Sequence, residues 1–226
     1  MKSRTWTLAV AAIVAVTTFA APISAQRGRG GGRGEAAAPA GPPTALKLQI
    51  TEGSTAQYRV QEQLAGIGFP NDAVGATSGV TGTIAINANG TIDSKQSKIT
   101  VDLTSLKSDQ SMRDGYISGN NGLNTKQFPT AEFVPTRAEG MPWPFPSGMQ
   151  AQAGFRLIGN MTVYGNTSEV TWNVVTTFGK GGVAGRATTQ FPFAQFKIPK
   201  PTLARIVSVD DIIKLELEFR ASVQPM

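Results

Sequence analysis

The chain has 226 residues, 40% of them hydrophobic, with 25 Gly and 14 Pro and a formal charge of +6. It has no His and no Cys, which excludes Ser-His-Asp and Cys-His catalysis, His/Cys zinc sites, thiolate-held iron–sulfur clusters and disulfides. The charge does not mark a nucleic-acid surface. Lys2, Arg4, Arg27, Arg29 and Arg33 are five of the 21 basic residues and Glu35 is one of the 15 acidic ones, which leaves 16 against 14, about +2, for residues 44–226.

Residues 1–25 read as a secretory signal: Lys2 and Arg4, an apolar run from Trp6 through Ala21, and a small-residue cleavage site at Ile23-Ser24-Ala25. The run is short for a bilayer span, so no permanent membrane span is expected after cleavage. No Cys lies near the site, which excludes a lipoprotein, and a periplasmic or secreted location is expected. Residues 26–43, Arg-Gly-rich and then Ala/Pro-rich, are too poor in apolar surface to order themselves and read as a linker. Such a segment is either a solvated spacer or a contact for an acidic polymer.

The body, residues 44–226, alternates with period two. Tyr58, Val60 and Leu64 suggest a first long strand, and Asn71–Thr77 reads as a polar loop at the barrel mouth. Ile84 and Ile86 precede the hairpin signal Asn89-Gly90. Ile99, Val101 and Leu103 share one face, opposite Lys98, Thr100, Asp102 and Thr104. The best helix candidate spans Ser108–Ile117. Met141-Pro142-Trp143-Pro144-Phe145-Pro146 cannot be a central strand, because Pro lacks the ladder donor. It reads as a lid, a membrane-touching tip or a rigid hairpin extension. Phe155, Leu157, Met161 and Val163 share a face, as do Val170, Trp172 and Val174. Val183, Ala187, Phe191 and Phe193 follow the turn at Gly179–Gly182. Asp210-Asp211 reads as a solvated turn. In the last segment Ile213, Leu215, Leu217 and Phe219 alternate with charged residues. About eight strands, each buried on one face, predict an all-β chain: a single antiparallel up-and-down barrel with one or two short helices.

Several segments in this order resemble the YceI-like family: Val80-Thr81-Gly82-Thr83-Ile84, Ile99–Leu106, Arg113-Asp114-Gly115-Tyr116-Ile117, Leu123–Phe133, Gly159–Gly165, Phe193–Pro199 and Val209–Leu215. The resemblance runs from about Leu46 to Val223. It implies a lipocalin-like barrel whose apolar interior holds a polyisoprenoid or similar lipid, with no active site among the shared motifs. Two departures stand out. Gly53–Val60 lacks the His of the family's first strands, so headgroup contacts made through His do not carry over. The Asn71–Thr77 segment is the second.

Under this reading the barrel lining is Tyr58, Leu103, Ile117, Phe128, Phe133, Phe155, Trp172, Phe191, Phe193, Phe196 and Leu217. Arg113 and Asp114 form either a rim site for a headgroup or a structural pair that pins the short helix. The expected function is an exported carrier or sequestering protein for a long apolar ligand, an isoprenoid or other long-chain lipid. No catalytic residue, cofactor, metal or nucleic-acid partner is expected. The alternative is a non-catalytic interaction protein with a solid core, binding through the Arg-Gly tail or the Pro-aromatic loop. An enzyme using carboxylates alone is remote, since no strand puts two Asp or Glu on its apolar face.

Overall fold

The computed structural model describes residues 43–66, 68–146, 151–202 and 206–226. The expected leader, and all of the expected linker except residue 43, lie outside them. Along the chain come β1 (Leu46–Ile50), β2 (Thr55–Leu64), β3 (Asn71–Thr77), β4 (Val80–Ile86), β5 (Ile92–Asp102), β6 (Lys107–Ser108), α1 (Ser111–Ser118), β7 (Thr130–Glu139), β8 (Ala151–Val163), β9 (Asn166–Gly179), β10 (Gly182–Pro192), a 3₁₀ turn (Phe193–Phe196), β11 (Ile206–Val209) and β12 (Ile212–Pro225).

The sheet is antiparallel and closes on itself. Its ring runs β1-β4-β5-β7-β8-β9-β10-β12, and β12 returns to β1 with Leu46 opposite Pro225 and Ile50 opposite Ala221. Closure leaves the ring without an open edge. The first two arms of the meander are bent. The β12 residues Lys214–Glu218 pair with β2, β2 pairs with β3, and β3 with β6, so β2, β3 and β6 prolong the wall at one end. The bend between β1 and β2 is pinned by Ser54, 2% exposed, whose Oγ accepts the Arg220 N–H at 3.0 Å and donates to the Thr51 carbonyl at 2.9 Å. Gly82 in β4 has φ +132°, and a Cβ there would lie 2.1 Å from the Lys98 carbonyl oxygen. Only glycine fits so close an approach of two strands.

Alternation explains the inner face. β12 turns Ile213, Leu215, Leu217 and Phe219 inward, and β9 turns in Val170, Trp172, Val174, Thr176 and Phe178. The outer face carries ion pairs such as Arg186–Glu218 at 2.8 Å and Lys98–Glu132 at 3.3 Å. Both members of each pair are well exposed, so each contributes little, roughly 0–1 kcal/mol.

Three expectations are corrected. Asn71–Thr77 is not a loop but strand β3, laddered to β2 from Ala56 opposite Thr77 to Glu62 opposite Asn71. Its inward residues Ala73, Gly75 and Thr77 are too small to make the alternation conspicuous, and Gly75 is small because Tyr58 lies over it: a Cβ would sit 2.4 Å from Tyr58 Cε1. The helix starts at Ser111 rather than Ser108, because Ser108 is held in β6 opposite Gly75. Phe193 is not in a strand. β10 ends at Pro192, and Phe193 opens the 3₁₀ turn.

Candidate functional site

The barrel is hollow. A cavity of about 800 Å³ follows its interior, near the upper end of the roughly 300–1,000 Å³ typical of small-molecule sites. One end is lined by the Pro-aromatic loop. Trp143 donates its Nε1–H to the Ala88 carbonyl at 2.8 Å, its ring meets Phe145 at 5.4 Å, and Phe145 packs on Phe178 at 4.7 Å. Met141 and Phe145 thereby become cavity wall. At the other end the cavity reaches Met112 of α1, which is 77% exposed.

Nine of the eleven residues expected to line the interior do so: Tyr58, Leu103, Ile117, Phe133, Phe155, Trp172, Phe191, Phe193 and Leu217. Two do not. Phe128 stands after the helix, outside any strand, and packs on Tyr164 at 5.1 Å and over Gly165 in the β8–β9 turn. Phe196 is fully buried, but against Phe191 at 4.7 Å rather than on the cavity. Phe128 is half-buried over a turn and Phe196 is in the core, and aromatic character alone distinguishes neither from a residue that lines a space.

Arg113 and Asp114 do not form a pair with each other. Successive residues on a helix point in different directions, and the two side chains have separate partners. Arg113 Nη2 donates to Glu62 Oε1 at 2.9 Å, and Nη1 donates to Asp109. Asp114 Oδ1 accepts the Ser108 N–H at 2.8 Å and the Ser108 hydroxyl at 2.7 Å, with Lys107 Nζ 4.0 Å from Oδ2. Pinning the helix is therefore the work of both, through different bonds. It matters because α1 buries none of its own residues. The Ser108 hydrogen bond holds the Asp114 carboxyl below its usual range. Burial would lower the Arg113 guanidinium, but the hydrogen bond and charge of Glu62, with those of Asp109, outweigh it and raise it.

Glu62 was legible and missed. It is in phase with Tyr58, Val60 and Leu64, so period two sends its carboxylate into the barrel. It is 8% exposed and lines the cavity together with Arg113. Burying that carboxylate is tolerable only because a charge-assisted bond meets it. Near this pair lies Tyr58, whose hydroxyl is buried with no hydrogen-bond partner among the described residues. Desolvation pushes the phenol above its ordinary value. Trp172 Nε1, on the cavity-lining face of β9, is likewise unpartnered among the described residues. Two other inward hydroxyls are satisfied locally: Thr77 bonds Ser105 Oγ at 2.7 Å and Thr176 the Ala184 carbonyl at 3.0 Å.

Comparison with known proteins fits this geometry. No curated protein matches the chain. Among solved structures, the fold is similar to a polyisoprenoid binding domain from Saccharophagus degradans implicated in plant cell wall breakdown, at 9% identity and a TM-score of 0.61, covering 80% of this chain and 99% of that one. It is also similar to BcnA of Burkholderia cenocepacia, at 15% identity and a TM-score of 0.53, covering 76% and 96% of the two chains. The YceI-like domain family matches residues 50–221, nearly all of the barrel, and the chain belongs to that family.

Proposed function

We propose that this protein is an exported carrier that holds the tail of a long apolar molecule, an isoprenoid or other long-chain lipid, inside the barrel without transforming it. The observation that carries the reading is the cavity: about 800 Å³, walled by Leu48, Ile84, Phe133, Trp172, Val174 and Leu217 among others. Burial supplies about 0.8 kcal/mol per methylene, hence about 4 kcal/mol per five-carbon unit. Association costs roughly 4–15 kcal/mol, so one unit would not hold and three or four would. Long tails are favoured by this arithmetic without any polar code along the barrel.

Membership of the family and the polyisoprenoid-binding neighbour support the same ligand class. Export rests on the signal-like residues 1–25, followed by the 26–43 spacer and the barrel domain from residue 44. No described helix is long and apolar enough to cross a membrane. The test is native mass spectrometry of the protein isolated from its own cells without delipidation. A mass increment of an isoprenoid or acyl lipid at one per chain is expected. Bare protein throughout, with no uptake of added lipid, overturns the reading.

A further inference from the structure

The cavity is not uniform along its length. Its inward polar side chains gather at the α1 end: Tyr58 and Glu62 from β2, Thr77 from β3, Gln110 and Arg113 at the helix. Elsewhere the described inward-facing wall is mostly apolar: Thr176 is spent on the Ala184 carbonyl, and Trp172 adds a single Nε1–H. A ligand that fills this space is therefore amphipathic, with its tail toward Phe145 and its head toward the helix.

The charges at that end decide what the head can be. Among the described residues, the ion pairs around α1 set three carboxylates, Glu62, Asp109 and Asp114, against two cations, Arg113 and Lys107. Arg113, which would be the natural anchor for a phosphate, already has its fork divided between Glu62 and Asp109. A phosphorylated headgroup would have to displace Glu62 and strand a buried carboxylate beside its own negative charge. With Glu62 paired, no carboxylate among the described lining residues is left free for a cationic head. What remains unspent among the described lining residues is uncharged: the Tyr58 hydroxyl, beside this cluster, and the Trp172 Nε1–H. A buried hydroxyl without a partner costs roughly 1–3 kcal/mol, which an acceptor or donor on the ligand would remove.

We infer that the α1 end of the cavity, around Tyr58, Glu62 and Arg113, is a headgroup subsite for an uncharged hydrogen-bonding group, an alcohol or a carbonyl, and that it rejects phosphorylated heads. This rests on the carrier reading and narrows it to one class of lipid.

The experiment is displacement of the neutral fluorophore N-phenyl-1-naphthylamine from the full-length protein by geranylgeraniol and by geranylgeranyl diphosphate, both kept below their aggregation limits. The alcohol should displace at a concentration lower by about tenfold or more, the effect of one like charge at close range in a partly screened site. In Glu62→Gln the preference should fall to about threefold or less, mainly by tighter diphosphate binding. Asp109→Asn, on a side chain 70% exposed, should move the ratio the same way with little risk to folding. In Tyr58→Phe the alcohol should lose about threefold to tenfold, as for one hydrogen bond, while the diphosphate is unchanged. Equal or tighter binding of the diphosphate, or a ratio unmoved by both carboxylate variants, overturns the inference while leaving the carrier intact. Failure of the fluorophore and of both lipids to bind overturns the carrier reading, and this inference with it.

Discussion

The Glu62–Arg113 pair offers a perturbation whose cost can be worked from the structure. Glu62 and Arg113 side chains are 9% and 12% exposed and 2.9 Å apart. Removing the cation, as in Arg113→Met, strands a buried carboxylate, which in comparable cases costs roughly 3–5 kcal/mol. Arg113→Met should therefore destabilise by about 3–5 kcal/mol at pH 7. Glu62→Gln is milder, roughly 1–2 kcal/mol, because Arg113 keeps Asp109 and a neutral hydrogen bond. The double variant Glu62→Leu/Arg113→Met leaves no buried charge and should lie within about 1 kcal/mol of wild type. Urea unfolding at pH 7 measures all of these, with an unchanged slope showing that the unfolded state is not the cause. Equal costs for the two single variants, or a double variant as unstable as Arg113→Met, would refute the reasoning.

A cavity also changes what overpacking does. Ala187→Phe on the inner face of β10 should cost under about 1 kcal/mol and weaken N-phenyl-1-naphthylamine binding, whereas a filled core would charge roughly 1–3 kcal/mol; thermal melts and a fluorescence titration separate the two. Gly75→Ala drives a methyl into the Tyr58 ring and should cost roughly 1–3 kcal/mol, relieved by Tyr58→Ala in a double-mutant cycle. With no His in the chain, melting temperature should be nearly flat from pH 5 to 8. In acid, Asp102 and Asp114, both held low first by side-chain hydrogen bonds from Thr104 and Ser108, contribute stability that is complete above their unfolded value near 3.9 and lost as pH falls below about 4. In alkali the raised Tyr58 phenol acts with the opposite sign, its contribution complete below about pH 10 and lost above it. A transition centred between pH 5 and 8 would contradict these assignments.

Strong alternation makes the barrel legible in the sequence. β5 and β12 set large aliphatic or aromatic residues inside against mostly charged ones outside, so period, face and burial agree. β3 was not legible, because its inward Ala73, Gly75 and Thr77 make room for Tyr58, and the reason for their size lies across the sheet. The same limit applies to the lining. Phe128 and Phe196 share composition with Phe133 and Phe191, but turns rather than strands carry them away from the cavity. The Arg113 partner was a matter of helix geometry: an adjacent Asp114 points elsewhere, and the true partner stands 51 residues earlier on an inner face. Glu62 was available from the same alternation that picked Tyr58, Val60 and Leu64. A carboxylate in phase with an apolar face is the signal to pursue, since a buried charge requires a partner.

The central claim is that the barrel interior is a space for an apolar tail. A crystal structure of the protein purified from its own cells, with no delipidation step, tests it most directly. The account predicts continuous elongated density along the barrel axis from Phe145 toward Arg113, ending beside Tyr58. An interior closed by its own side chains, with Phe133, Trp172 and Leu217 in mutual contact across the axis and no room for a chain, would contradict it.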